Sequence, residues 1–294
     1  MKKVLARKVA PLLAGMGLLF CSLGAQAAYP DKPIRLVVPF TPGGVTDVIA
    51  RGVAQQLSKD LGQIIIVENK PGASGIIATD FVAKSAPDGY TVLLAAVGQA
   101  VVNNHLYKKL PYDPAQDLAA VSLVAEGQNV LVVNAKQSPF NTGEELISHA
   151  RAKPDDLTYA SFGNGSSSHL SAAAFTTMAN IEVIHAPYRG SAPAMTDLLG
   201  GHISFMFDSM GTAITHINAN TVRPLAVSGP ERSSLLPEVP TFAELGLNQG
   251  YNVTAWFGFH VSSGTPTEII DRLSQAMKTV SENSEFVETF RRQG

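Results

Sequence analysis

The sequence predicts an α/β protein of two lobes, each a mostly parallel sheet flanked by helices, with a hinge between them. Three observations carry this. A strand–loop–helix alternation appears twice along the chain, with no fixed-period repeat. Glycine- and proline-rich loops follow the apolar runs at the points where strands give way to helices. Two extended segments, near 121–133 and 253–261, are placed to cross between lobes, so that the first lobe is assembled from both ends of the chain.

The elements follow in order. Ile34 to Val38 is a short β-branched run stopped by Pro39, and it reads as a buried parallel strand. Phe40 to Asp47 is a loop, followed by an amphipathic helix from about Val48 to Lys59 that Gly62 closes. Ile64 to Glu68 is a second strand, Ile76 to Lys84 a helix and Tyr90 to Ala95 a third strand. Val121 to Val133 is extended and interrupted at Glu126-Gly127. The second alternation runs through a helix at Thr142 to Ala152, a strand at Thr158 to Ser161 and a helix at His169 to Ala179. It continues with a strand at Glu182 to Ala186, a helix at Pro193 to Leu199, and strands at Ile203 to Phe207 and Arg223 to Ser228. Thr265-Pro266-Thr267-Glu268 reads as the capped start of a long final helix. The domain reading is residues 28–125 with 253–294 for lobe 1, and 126–252 for lobe 2.

The N-terminus indicates export. Lys2, Lys3, Arg7 and Lys8 precede an apolar stretch from Val9 to Leu23, and Ala25-Gln26-Ala27 has the small-x-small pattern of a cleavage site. Residues 1–27 are therefore expected to be a signal peptide, removed before Ala28. The leader carries four of the 22 Lys+Arg and none of the 24 Asp+Glu, leaving 18 against 24 and a mature net charge of −6. The single cysteine, Cys21, lies in the leader, so the mature chain has no disulfide and relies on its core. A mildly acidic chain with no basic run is not built for nucleic acid, and no later segment has the apolar length to span a bilayer.

Three loops and one strand end are the candidates for chemistry. Phe40, Pro42, Gly43, Gly44, Thr46 and Asp47 form a glycine-rich turn at a helix N-terminus, where free amides and the helix dipole favour an anion. Capping of that helix by Thr46 or Asp47, with the glycines serving the turn, is the equal alternative. Neither the Gly-Lys-Ser/Thr ending nor the G-x-G-x-x-G spacing of phosphate loops is present. Gly163, Asn164, Gly165, Ser166, Ser167 and Ser168 lead into His169 and offer hydroxyls and amides at a second helix start. A serine hydrolase using Ser166–Ser168 with His169 is the enzymatic alternative, though G-x-S-x-G is absent. Tyr188, Arg189 and Gly190 put an aromatic ring beside a guanidinium, a pair suited to a flat or carboxylated ligand. Asp208 ends the apolar run from Ile203, where it either meets a ligand or simply terminates the strand. The seven histidines show no i, i+4 pair, so no metal site is expected, and no cofactor.

Taken together and in this order, these stretches resemble the substrate-binding receptors of tripartite tricarboxylate transporters, often called the Bug family. The resemblance begins at Tyr29-Pro30-Asp31-Lys32-Pro33 and Val38-Pro39-Phe40-Thr41-Pro42-Gly43-Gly44. It passes through Val67 to Gly75, Lys84 to Thr91, Tyr107 to Tyr112, Gly163 to Leu170 and Pro187 to Gly190, and reaches Leu236 to Thr241. It implies a periplasmic two-lobe binding fold and no enzymatic activity. It implies a small di- or tricarboxylate, amino acid or aromatic acid held between the lobes, by Phe40–Asp47 on one side and Gly163–Ser167 on the other. Tyr188, Arg189 and Asp208 would stand at the rim. The implied partners are the membrane permease subunits of such a transporter, served by a monomeric receptor. A sensor docking on a membrane kinase is the alternative use of the same fold. The family continues past the final helix into a further strand and helix, so lobe 1 is expected to be C-terminally truncated here.

Overall fold

A computed structural model describes residues 29–247 and 253–292; the expected signal peptide and its cleavage site lie outside the described residues. The elements are β1 (Ile34–Val38), α1 (Val45–Leu61), β2 (Ile65–Asn69), α2 (Ile76–Ala83), β3 (Thr91–Ala96), α3 (Asn103–Leu106) and β4 (Leu118–Asn134). They continue with α4 (Gly143–Ala152), β5 (Thr158–Ser161), α5 (Ser167–Ala179), β6 (Ile184–Pro187), α6 (Ser191–Leu199) and β7 (Phe205–Ser209). The chain finishes with α7 (Met210–Asn218), β8 (Val222–Val227), β9 (Thr254–Ser262), α8 (Thr267–Glu282) and α9 (Ser284–Arg291).

Two parallel groups form, β2-β1-β3 and β6-β5-β7, and each is completed by antiparallel strands. The long strand β4 belongs to both. Its first part, Leu118–Gln128, pairs with β9, and β9 in turn pairs with β3. From Asn129 onward it pairs with β7, and Val130–Asn134 pair with β8.

Strand β3 and the second part of β4 read as continuous apolar runs because both faces are covered. Along β4, Val130 and Val132 enter one core cluster while Leu131 and Val133 enter another. In β1, Ile34, Leu36 and Val38 likewise face one side and Val37 the other. Around Phe175, fully buried, the rings of Phe207 and Phe242 stand 5.6 Å and 5.4 Å away. Each such ring contributes roughly 1.5–3 kcal/mol by burial.

Helix α1 buries Ile49, Ala50, Val53, Ala54, Leu57 and Leu61 on one stripe and ends one residue before Gly62. Thr142 caps α4 by accepting from the Glu145 amide at 3.2 Å, while the Glu145 carboxylate accepts from the Asn141 amide at 2.6 Å.

Several local expectations are corrected. The break at Glu126-Gly127 does not occur, because Trp256 and Ala255 of β9 pair across it; the irregularities fall instead between Ala120 and Ser122 and between Leu123 and Ala125. Helix α7 lies between two strands expected to follow one another. Its Met210, Ala213 and Ile214 form a helical stripe, but Gly211 and the β-branched Thr212, Ile214, Thr215 and Ile217 dilute its helix propensity. Thr265 does not cap α8: its hydroxyl donates to the Ser262 carbonyl at 2.7 Å, and Pro266 holds the cap position. The final helix is two, broken at Asn283, whose side chain caps α9 by accepting from the Phe286 amide at 3.0 Å.

Candidate functional site

The loops after β1, β2, β5 and β6 gather at the carboxyl ends of the parallel strands, the place where open α/β sheets bind ligands. They meet across a narrow cleft. The Thr41 amide donates to the Arg189 carbonyl at 3.4 Å. A Cβ on Gly190 would stand 2.4 Å from Thr41 Oγ1, and one on Gly98 would stand 3.0 Å from the Gly165 carbonyl. Gly163, at φ 117°, leaves a Cβ position only 3.0 Å from Ser74 Oγ. Side chains at these points would hold the loops apart.

The cleft retains a cavity of about 220 Å³ lined by Pro39, Phe40, Gly72–Gly75, Tyr107, Phe162, Gly163, Asn164, Pro187, Tyr188 and Arg189. It is smaller than the ~300–1,000 Å³ of sites for drug-sized ligands, so it selects small molecules. Arg189 is the only charged residue among these described lining residues. A larger hollow of about 630 Å³ opens elsewhere, between α1, the 126–128 stretch of β4, the start of α7, residues 230–235 and α9. Val45, Val48, Ile49, Leu235, Phe257 and Phe290 give it apolar walls, and its Arg232 is paired with Glu244 at 2.9 Å. The smaller cavity matches the chemistry of an anion better.

The candidate residues divide into lining and support. Phe40, Gly163, Asn164, Tyr188 and Arg189 line the cavity. Pro42 and Gly43 are exposed and are not among its described walls, whereas Gly44 and Thr46 are buried at the start of α1. Asp47 is a brace. Its carboxylate accepts from the Gly43 amide at 3.1 Å, from Asn69 Nδ2 at 3.0 Å and from Arg51 Nε at 3.0 Å, with a further Arg51 contact at 2.9 Å. Burial opposes the charge, but the bonds from Arg51, Gly43 and Asn69 outweigh it and hold the pKa below the ordinary carboxylate value. Asn69, which sequence reasoning did not single out, also donates to the Phe40 carbonyl at 3.1 Å. It ties the tip of β2 to the loop after β1.

In the loop after β5, Ser166 caps α5. Its Oγ donates to the Gly163 carbonyl at 2.7 Å and accepts from the His169 amide at 3.2 Å. Ser167 is buried beside it. His169 Nδ1 accepts from the Gly165 amide at 3.1 Å, and its ring stacks on His185 at 4.6 Å, which stacks on Tyr159 at 4.6 Å. Burial lowers the pKa of both histidines, that of His185 to about 4 with His169 adding to the effect. The hydrolase arrangement is not formed: Ser166 bonds backbone rather than a ring nitrogen. The serine that does meet an imidazole is Ser161, 2.7 Å from His185 Nε2 and itself fully buried.

Asp208 is buried behind the starts of α6 and α7. Its Oδ1 accepts from Ser191 Oγ at 2.8 Å, Thr212 Oγ1 at 2.7 Å and the Ser209 amide at 2.9 Å, while Oδ2 is buried without a protein partner. Burial pushes its pKa up to about 6 against the pull of Thr212, Ser191 and Ser209. Tyr188 turns its hydroxyl to Asp197 Oδ2 at 2.5 Å, and burial with that carboxylate pushes it up to about 12. Gly190 immediately precedes α6, against Thr41.

Among the described residues no group of three or more His, Cys, Asp or Glu is placed to hold a metal ion. No described helix is long and apolar enough to cross a membrane.

Two α/β halves sharing a strand, with glycine loops closing on a small cavity beside Arg189, define a solute-binding receptor of the periplasmic binding protein type. A family profile described as "Tripartite tricarboxylate transporter family receptor" matches residues 49–294, and the chain belongs to that family. It is 37% identical to Protein BugT of Bordetella pertussis over 289 residues, covering 96% of this chain and 88% of BugT. Among solved structures it is similar to R. palustris Rpa4515 with adipate, at 37% identity and TM-score 0.87, over 90% of this chain and 88% of that one. It is also similar to MatC (Rpa3494) from Rhodopseudomonas palustris with bound malate, at 32% identity and TM-score 0.86, over 90% of each chain. As a member of this receptor family the protein is a binder and not an enzyme.

Proposed function

We propose that the protein captures a small carboxylate in the cavity between the loops after β1, β2, β5 and β6 and presents it to the permease subunits of a tripartite tricarboxylate transporter. The observation that carries this is the cavity itself: about 220 Å³, with Arg189 the one charged residue among its described lining. A guanidinium in a confined site favours a carboxylate through charge-assisted, often bidentate hydrogen bonds. Relatives solved with adipate and with malate support the ligand class. In this reading residues 1–27 direct export and are removed, and the monomeric receptor works in the periplasm.

The two halves act as lobes that close by rotation about the chain crossings in β4 and before β9. The pairing pattern favours moving the first boundary from 125/126 to Gln128/Asn129, where β4 leaves β9 for β7.

The test is thermal melting of the protein starting at Ala28 against a panel of mono-, di- and tricarboxylates. A ligand at about one hundred times its Kd adds roughly 2.7 kcal/mol, which is about 5–10 °C at this size. Arg189→Gln is expected to weaken binding about tenfold to a hundredfold with the unliganded melting temperature unchanged. A cooperatively melting protein that no carboxylate stabilises would refute the proposal.

A further inference from the structure

The turn from Gly72 to Gly75 is unusual in that four consecutive residues have positive φ, and two of them are not glycine: Ala73 at 46° and Ser74 at 55°. A non-glycine residue held in this region is strained and persists only where its surroundings over-determine it. Here they do. The Ser74 carbonyl accepts from Gln99 Nε2 at 2.8 Å and lies 3.5 Å from Asn103 Nδ2; Gln99 and Asn103 are both buried. Gln99 is fixed in turn by the Ala96 amide, which donates to its Oε1 at 3.0 Å. The clamp leaves the Ser74 side chain on the cavity wall, against Gly163 of the opposite half.

The hydroxyl's polarity is also set. Tyr107 stands 3.0 Å from Ser74 Oγ, and the phenol, as the more acidic partner, donates. Ser74 therefore accepts from Tyr107 and has its own proton left to give, while its carbonyl is already taken. The described cavity wall thus offers the Ser74 hydroxyl as a donor from one half, across from Arg189 of the other, which lines the cavity and is exposed.

We infer that Ser74 is a specificity-determining residue of this receptor: its hydroxyl, oriented by Tyr107 and held on a strained turn, donates to a second acceptor group of the ligand. The inference rests on the carboxylate reading given above and extends it. Ligands bearing an acceptor at both ends satisfy Arg189 and Ser74 together. A monocarboxylate with an apolar tail leaves Ser74 unpaired in the closed cleft and is rejected.

Calorimetric titration with succinate and adipate, against butanoate and hexanoate, tests this on the wild type, Ser74→Gly and Tyr107→Phe. Glycine accepts the positive φ, so Ser74→Gly relieves strain and is expected to melt no lower than wild type. It is nevertheless expected to lose about tenfold to a hundredfold in affinity for the preferred diacid and little for the monoacid. Tyr107→Phe is expected to move the diacid-to-monoacid ratio the same way by a smaller factor. A wild type that binds none of these acids overturns this inference, and overturns the carboxylate reading as well when no acid of the wider panel stabilises it. A wild type that binds a diacid with a preference unchanged in Ser74→Gly overturns the role of Ser74 alone.

Discussion

Asp208 offers a quantitative test of how the second half is held together. Its carboxyl is fully buried, has three donors on Oδ1 and none on Oδ2, and is pushed up to about 6 from an ordinary 3.8. Because the native pKa is the higher one, the native state holds the proton more tightly than the unfolded chain. Stability therefore falls as pH rises from 3.8 to about 6, and the full penalty is present above that window. At 1.36 kcal/mol per pH unit the charge costs about 3 kcal/mol at neutral pH. Asp208→Asn keeps an acceptor for Ser191, Thr212 and the Ser209 amide and removes the charge. The new amide nitrogen has no partner where Oδ2 stood, which returns about 1–2 kcal/mol of the gain. The net expectation is a variant more stable by about 1–2 kcal/mol at pH 7.5, or about 2–8 °C in melting temperature. The advantage should reverse by pH 4, where the wild-type carboxyl is largely protonated, little charge cost is left to relieve, and the unpaired amide leaves the variant less stable by about 1 kcal/mol. Paired urea unfolding curves at both pH values measure it. A variant destabilised equally at both would show that the buried charge carries no such cost.

Other outcomes follow from the same geometry. His169 and His185 have native pKa values below the ordinary 6.5, so their contribution is present above that pH and is lost as pH falls towards 4. Replacing His185 with Phe keeps a ring in the stack, and the stability difference between pH 7.5 and 5 should shrink by about 1 kcal/mol, discounted for the half-exposed ring; an unchanged difference in urea midpoints contradicts this. Gly190→Ala places a methyl 2.4 Å from Thr41 Oγ1 and should weaken ligand affinity more than tenfold while leaving the melting temperature within a few degrees; unchanged affinity would mean the cleft closes without that contact. Asn69→Ala frees the Phe40 carbonyl and one side of Asp47, and should cost about 1–3 kcal/mol in urea unfolding. A neutral result would remove Asn69 from the brace.

The parts of this protein that sequence reveals are those encoded by neighbours. The turn chemistry of Gly43-Gly44, Gly163 to Gly165 and Gly190 marks the loops that do meet, and a β-branched run marks β1 to the residue. Whether a polar residue in such a loop faces a ligand or supports the backbone is decided by distant partners. In the sequence Asp47 reads as a ligand contact or a cap; in the structure Asn69 and Arg51 occupy its carboxylate, and only the i, i+4 spacing to Arg51 is visible locally. Ser74 depends on Gln99 and Tyr107, 25 and 33 residues away, and no local pattern announces them. His169 has the same character: its role follows from the ring of His185 on a neighbouring strand.

Strand β9 lies between β3 and β4 in the sheet, yet it is the last of the described strands in chain order. A nascent polypeptide emerging from its N-terminus lays down β3 by residue 96 and β4 by residue 134, with an empty lane between them until residues 254–262 arrive. During that interval two strand edges stand open, with their amides and carbonyls unpaired. The second group, β5 to β8, is contiguous in sequence and needs no such wait. Assembly therefore has a built-in order: the later-made half is able to close first, and the earlier-made half closes only when the chain returns to it.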